Sequence, residues 1–108
     1  MEKSLPDMTH LQFVVLLSLH NEKEVAGAEV RQKLLEAGHK TKLASFYQLM
    51  ARLEMQGLVS GRHVVHVEQS QTMKEAVYLL TEKGAENIEA IVDFYRPLLK
   101  KFLRRNRK

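Results

Sequence analysis

Apolar residues recur along this chain at three- and four-residue steps in four stretches, interrupted once by a denser, Val-rich run. The first stretch, 8–20, reads Met-Thr-His-Leu-Gln-Phe-Val-Val-Leu-Leu-Ser-Leu-His. With Leu11, Val14, Val15 and Leu17 so closely spaced, a helix here is apolar over most of its circumference, which implies burial on more than one side. Either a central core position or a dimer interface would bury it. Asp7 or Thr9 is the candidate cap. Asn21 to Glu24 reads as a polar turn, and a second helix is expected from about Val25 to Ala37. Val30, Leu34 and Leu35 carry its apolar stripe, extended by Val25 or Ala26. Gly27 in its first turn costs about 1 kcal/mol relative to Ala if helical, which fits close packing of another backbone against it. Gly38 is a helix-end signal.

The stretch from Thr41 to Arg62 organises the rest. Thr41 is placed to cap a helix. Phe46, Leu49, Met50 and Leu53 then fall on one helical face, and Gly57 sits where a C-cap needs positive φ. The opposite face carries Lys42, Ser45, Gln48 and Arg52, which are donors with little bulk. A helix lying in a DNA groove needs that character, and a merely solvated face reads the same. After Gly57 the pattern becomes that of strands: Leu58 to Glu68 is Val-rich, 69–74 is polar, and Ala76 to Leu80 reads as the returning strand of a hairpin. Three helices followed by a hairpin is the winged-helix order.

Thr81 and Glu82 open the last helix, expected from about Glu82 to Phe102. Ile88, Ile91, Val92, Tyr95, Leu99 and Phe102 form one long stripe, widened by Phe94 and Leu98. Pro97 within it predicts a kink, or a split after Tyr95. So much apolar surface on one helix of a small protein predicts a second chain, and these six residues are the candidate dimerisation contacts.

The 108 residues, 44% apolar, suffice for one compact core. There is no Cys, so disulfides, thiolate metal sites and Cys nucleophiles are excluded. The longest apolar run, Phe13 to Leu17, is too short to cross a membrane. No apolar run follows a basic segment at the start, so no signal peptide is expected, and the protein is expected to be cytoplasmic. The net charge of +4 is unevenly placed. Residues 100–108 hold six basic groups, which leaves residues 1–99 with eleven basic against thirteen acidic groups, a net of −2. Between 39 and 62, however, Lys40, Lys42, Arg52 and Arg62 face only Glu54. Such a local excess is what phosphate neutralisation on DNA requires.

Three motifs together resemble the PadR-like transcriptional regulators. Val25-Ala26-Gly27-Ala28-Glu29-Val30 is similar to the start of that family's second helix, and Tyr47 through Leu53 to Glu54-Met55-Gln56-Gly57-Leu58-Val59 to its recognition helix. Val77-Tyr78-Leu79-Leu80-Thr81-Glu82-Lys83-Gly84 is similar to its wing-to-helix junction. The chain departs from the family pattern at Ala44-Ser45 and Gln48, and its wing is less basic, with Lys74 flanked by Glu68 and Glu75. The resemblance implies a dimeric winged-helix repressor, a role for Tyr47 at the DNA backbone, and a small-molecule effector of unknown identity near the dimer interface.

The expected fold is therefore mainly α with a small β-hairpin. Residues 1–81 form a winged helix-turn-helix, and 82–108 a long dimerisation helix with a basic tail. The expected partners are double-stranded DNA and a second copy of the chain. Ser45, Gln48 and Arg52 are candidates for phosphates or base edges, Gln suiting adenine and Arg guanine. Lys40, Lys42, Arg62 and Lys74 are candidates for phosphates. A winged-helix module that binds protein through the Val-rich strand is the alternative. His63 and His66 point to opposite faces of a strand and do not share a metal. With no nucleophile–base set, metal cluster or phosphate-cradling loop, neither an enzyme nor a cofactor is expected.

Overall fold

The computed structural model describes residues 5–20 and 23–106, Asn106 by its backbone alone. Part of the expected turn, Asn21 and Glu22, and the tail residues Arg107 and Lys108 lie outside the described residues. The first helix, α1 (His10–Leu19), is capped by Thr9, not Asp7. The Thr9 hydroxyl accepts from the Gln12 amide at 3.1 Å, and the Gln12 side chain accepts from the Thr9 amide at 3.1 Å, a reciprocal capping box.

Val25–Ala26 is not the start of the second helix but a short strand, β1. It pairs antiparallel with the third strand, Val25 opposite Tyr78 and Ala26 opposite Val77. The helix α2 (Gly27–Glu36) begins immediately after it. A Cβ at Gly27 would lie 3.3 Å from the Tyr78 ring, 3.5 Å from Phe46 and 3.6 Å from the Ala76 carbonyl oxygen, so an aromatic wall together with a neighbouring backbone accounts for the glycine. Gly38 ends the helix with φ +91.

The third helix, α3 (Leu43–Met55), starts two residues after Thr41. Lys42 holds the cap position without a side-chain bond, because the first helical bond runs from the Phe46 amide to the Lys42 carbonyl. The Thr41 carbonyl instead accepts from Arg31 Nη2 at 3.3 Å. Gly57, φ +75, turns the chain into β2 (Val59–Glu68), and β3 (Gln71–Leu80) returns along it. The strand order is β1-β3-β2.

The expected six-residue wing loop is only two residues long. Gln69 and Ser70, at φ 51 and 66, make the turn, as a two-residue hairpin requires. Lys74 therefore stands within β3 opposite Val65, not at the tip.

Each helix sends one face inward. Val15, Leu16 and Leu19 of α1, Val30 and Leu34 of α2, and Phe46, Met50 and Leu53 of α3 are fully buried. Val25, Leu58, Val59, Tyr78 and Ile88 complete the cluster. Each such side chain contributes about 1.5–3 kcal/mol on burial.

The last helix, α4 (Glu82–Asn106), runs 25 residues without interruption. Pro97 lies inside it and does not split it. The Pro97 nitrogen cannot bond the Asp93 carbonyl, but every residue from Asp93 to Arg105 is exposed, so water can satisfy that oxygen. Thr81 caps α4 as expected: its hydroxyl accepts from the Gly84 amide at 3.0 Å and donates to the Gly57 carbonyl at 2.6 Å. Among the described residues, no helix is long and apolar enough to cross a membrane.

Candidate nucleic-acid interface

The outward face of α3 is set by what its inward face buries. Phe46, Met50 and Leu53 are locked in the core and Leu49 is half-buried. Helical geometry then forces Ser45, Gln48 and Arg52 onto one exposed stripe at three- and four-residue steps, with Lys42 at its start. All four are exposed. Tyr47 flanks the stripe half-exposed, its ring 5.6 Å edge-on from that of Phe46. It thus joins an apolar body to a polar tip at the surface. Lys40 is exposed on the turn before α3. The structure therefore leaves Lys42, Ser45, Tyr47, Gln48 and Arg52 of α3 and its cap, and Lys40 of the turn before it, exposed.

Arg62 and Lys74 lie on the wing, in β2 and β3. The Arg62 guanidinium forms a two-pronged ion pair with Glu24, which lies between α1 and β1. Hydrogen bonding to Arg62 holds the Glu24 carboxyl below its usual range, and the same bond raises Arg62. Lys74 is exposed on the wing, three rungs from the turn pair Glu68–Gln71. Burial, then the charges of Glu54 and Tyr47, push the Tyr78 phenol up, so this core tyrosine stays neutral beneath the site.

Two features carried no local signal in the sequence. Glu24 meets Arg62 across 38 residues, and Arg31 reaches the Thr41 carbonyl across ten. Both contacts exist only in the folded chain.

The expected dimerisation stripe is divided. Ile88 and Ile91 are buried against the protein's own body, and Val92 is half-buried. Tyr95, Leu99 and Phe102 are exposed by 45, 56 and 61%, and Phe94, Leu98 and Leu103 lie exposed beside them. An apolar groove of about 420 Å³ runs between Phe13 of α1 and Ile91, Val92, Tyr95, Leu99 and Leu103 of α4. Arg96 and Lys100 stand at its margins.

The model of the PadR-like family of transcriptional regulators matches residues 15–90. Among curated proteins none matches the sequence. Solved structures do. A PadR-like transcription factor from Bacteroides fragilis is 27% identical over 85% of each chain, with a TM-score of 0.70. A PadR family regulator from Clostridium difficile is 18% identical, covering 90% of this chain and 97% of its own, with a TM-score of 0.71. Bacillus subtilis PadR, solved in complex with operator DNA, is 19% identical, covering 77% of this chain and 46% of its own, with a TM-score of 0.61. The matched span takes in the helix-turn-helix, the hairpin and the start of α4, and on that evidence the chain belongs to the PadR-like family of transcriptional regulators.

Proposed function

We propose that the protein is a homodimeric, sequence-specific DNA-binding repressor that places α3 in the major groove and its wing against the flanking backbone. The observation that carries this is the α3 stripe. Lys42, Ser45, Gln48 and Arg52 project from a helix whose other side is anchored by three fully buried residues, so the donors are held rigidly at helical spacing. Gln48 suits adenine and Arg52 guanine, each good bidentate contact discriminating by about 1–3 kcal/mol. Lys40 and Lys42 neutralise phosphates, and Tyr47 reaches the backbone. The B. subtilis relative on operator DNA supports the same use of the fold.

A second copy covers the exposed half of the α4 stripe and the groove beside Phe13, spacing two α3 helices about one DNA turn, or about 34 Å, apart. Occupying an operator as a dimer excludes other proteins from it, which makes repression the natural output. An effector would act at this interface by changing the distance between the two readers.

The test is selection of random duplexes at two salt concentrations. Enrichment of an inverted repeat with steep salt dependence is expected, and it should vanish in Lys42→Ala/Arg52→Ala. No binding at low salt would overturn the proposal. One observation favours a protein partner instead. The edge strand β2 exposes Val65 and Val67 by 58 and 71%, a surface open to strand addition. Under that reading the double variant keeps its partner.

A further inference from the structure

Behind the turn that joins α2 to α3 lies a notch of about 250 Å³. Ala28, Arg31, Gln32 and Leu35 of α2 form one wall, and His39, Lys40 and Thr41 of the turn form the other. Its described lining holds an Arg, a Lys and a His and no carboxylate. Arg31 makes no ion pair among the described residues, and its Nε is buried there without a hydrogen-bond partner. One nitrogen, Nη2, bonds the Thr41 carbonyl and so fixes the guanidinium against the turn. Glu36, one residue beyond Leu35, accepts from Gln32 at 3.4 Å. The His39 ring, 5.2 Å from that of His10, is propped over the turn by the start of α1.

Leaving a charged, partly desolvated donor unsatisfied is costly. A neutral side chain could bond Thr41 without that penalty. The notch instead combines a fixed guanidinium, an adjacent ammonium and an imidazole, a donor set suited to a tetrahedral oxyanion. It also adjoins Lys42 and the start of α3, where in a helix-turn-helix the first helix crosses the sugar–phosphate backbone.

We infer that the Arg31–His39–Lys40 notch is a binding site for a phosphate group of the DNA backbone, beside the groove that α3 enters. Arg31 supplies the charge, Lys40 closes the open side, and the Thr41 bond keeps Arg31 in register with α3. The notch thereby sets the depth of the recognition helix without reading a base. This rests on the DNA-binding reading above and adds to it a residue outside α3 and the wing.

The test is a methylphosphonate scan of the selected operator, which neutralises one phosphate at a time, with wild-type protein, Arg31→Met and Gln32→Glu. Gln32→Glu keeps the Arg31–Thr41 bond and places a carboxylate in the notch, so it serves if Arg31→Met fails to fold. One phosphate per half-site should weaken wild-type binding about tenfold when neutralised, with no further effect in Arg31→Met. Each protomer of Arg31→Met should lower the slope of log affinity against log salt by about 0.9. Base preference should be unchanged. If wild-type protein binds but no phosphate couples to Arg31 or Gln32, the notch assignment falls while the DNA-binding reading stands. If wild-type protein binds no duplex, the DNA-binding reading itself falls. Titration with inorganic phosphate alone is the remaining arm. Saturable shifts at Arg31 and His39, with DNA affinity indifferent to Gln32→Glu, would assign the notch to a free anion and overturn the backbone assignment.

Discussion

Gly84→Ala sets two effects of opposite sign against each other. Gly84 is the third residue of α4, and a helical Gly→Ala change ordinarily stabilises by up to about 1 kcal/mol. Here there is no room for the methyl group. A Cβ at Gly84 would overlap the Leu58 carbonyl oxygen and lie 2.7 Å from Leu80 Cδ1. The obstacle is backbone, and it is tied down: the Leu58 carbonyl accepts from the Thr81 amide at 3.1 Å. The Thr81 hydroxyl in turn bonds both the Gly84 amide and the Gly57 carbonyl. Moving Leu58 therefore disturbs the cap of α4 and the start of β2 together. Overpacking of this kind costs about 1–3 kcal/mol, and with a lost cap bond of about 1 kcal/mol it outweighs the helix gain. We expect a net loss of about 1–3 kcal/mol, or a fall in melting temperature of about 4–8 °C per kcal/mol. The assay is urea and thermal unfolding at fixed protein concentration, since any self-association makes stability concentration-dependent. Gly38→Ala is the control. Its φ is +91 and a Cβ meets nothing within 4 Å, so it reports the backbone cost alone, about 1–2 kcal/mol. A Gly84→Ala protein as stable as wild type would refute the reasoning, because it would mean α4 is not seated against Leu58.

Three further outcomes follow from the same structure. Thr9→Ala removes the capping box of α1 and should cost about 1 kcal/mol, read by urea unfolding. Leu99→Glu places a charge in the groove between α1 and α4 and should convert the proposed dimer to a monomer in sedimentation equilibrium, with the helical circular dichroism retained. Glu24→Gln releases Arg62 from its ion pair and should tighten DNA binding and steepen its salt dependence in fluorescence anisotropy. Because the folded-state Glu24 carboxyl is held below its usual range, the pair's contribution to stability is present at neutral pH and lost as the pH falls through that lowered value. Both partners are exposed, so wild type and Glu24→Gln should melt together at high salt.

Much of this protein was legible from local pattern. Period-3.6 spacing placed Phe46, Met50 and Leu53 inside and Ser45, Gln48 and Arg52 outside, because the two faces of one helix are determined by each other. Gly38, Gly57 and Thr81 ended or began helices where expected, since caps depend on residues a few positions apart. What remained needed partners distant in sequence. Val25 looks like part of a helix until Tyr78 is available to pair with it. Gln69-Ser70 carries no glycine signal, and the two-residue turn follows from the register of ten paired residues on each strand. The stripe on α4 is continuous in sequence, but α1 and the core cover Ile88 and Ile91 and leave Tyr95, Leu99 and Phe102 exposed. The pairing of Arg62 with Glu24, and the anchoring of Arg31 to Thr41, were likewise decided by folding alone. A side chain's charge is written in the sequence, but which charge answers it depends on how the chain packs.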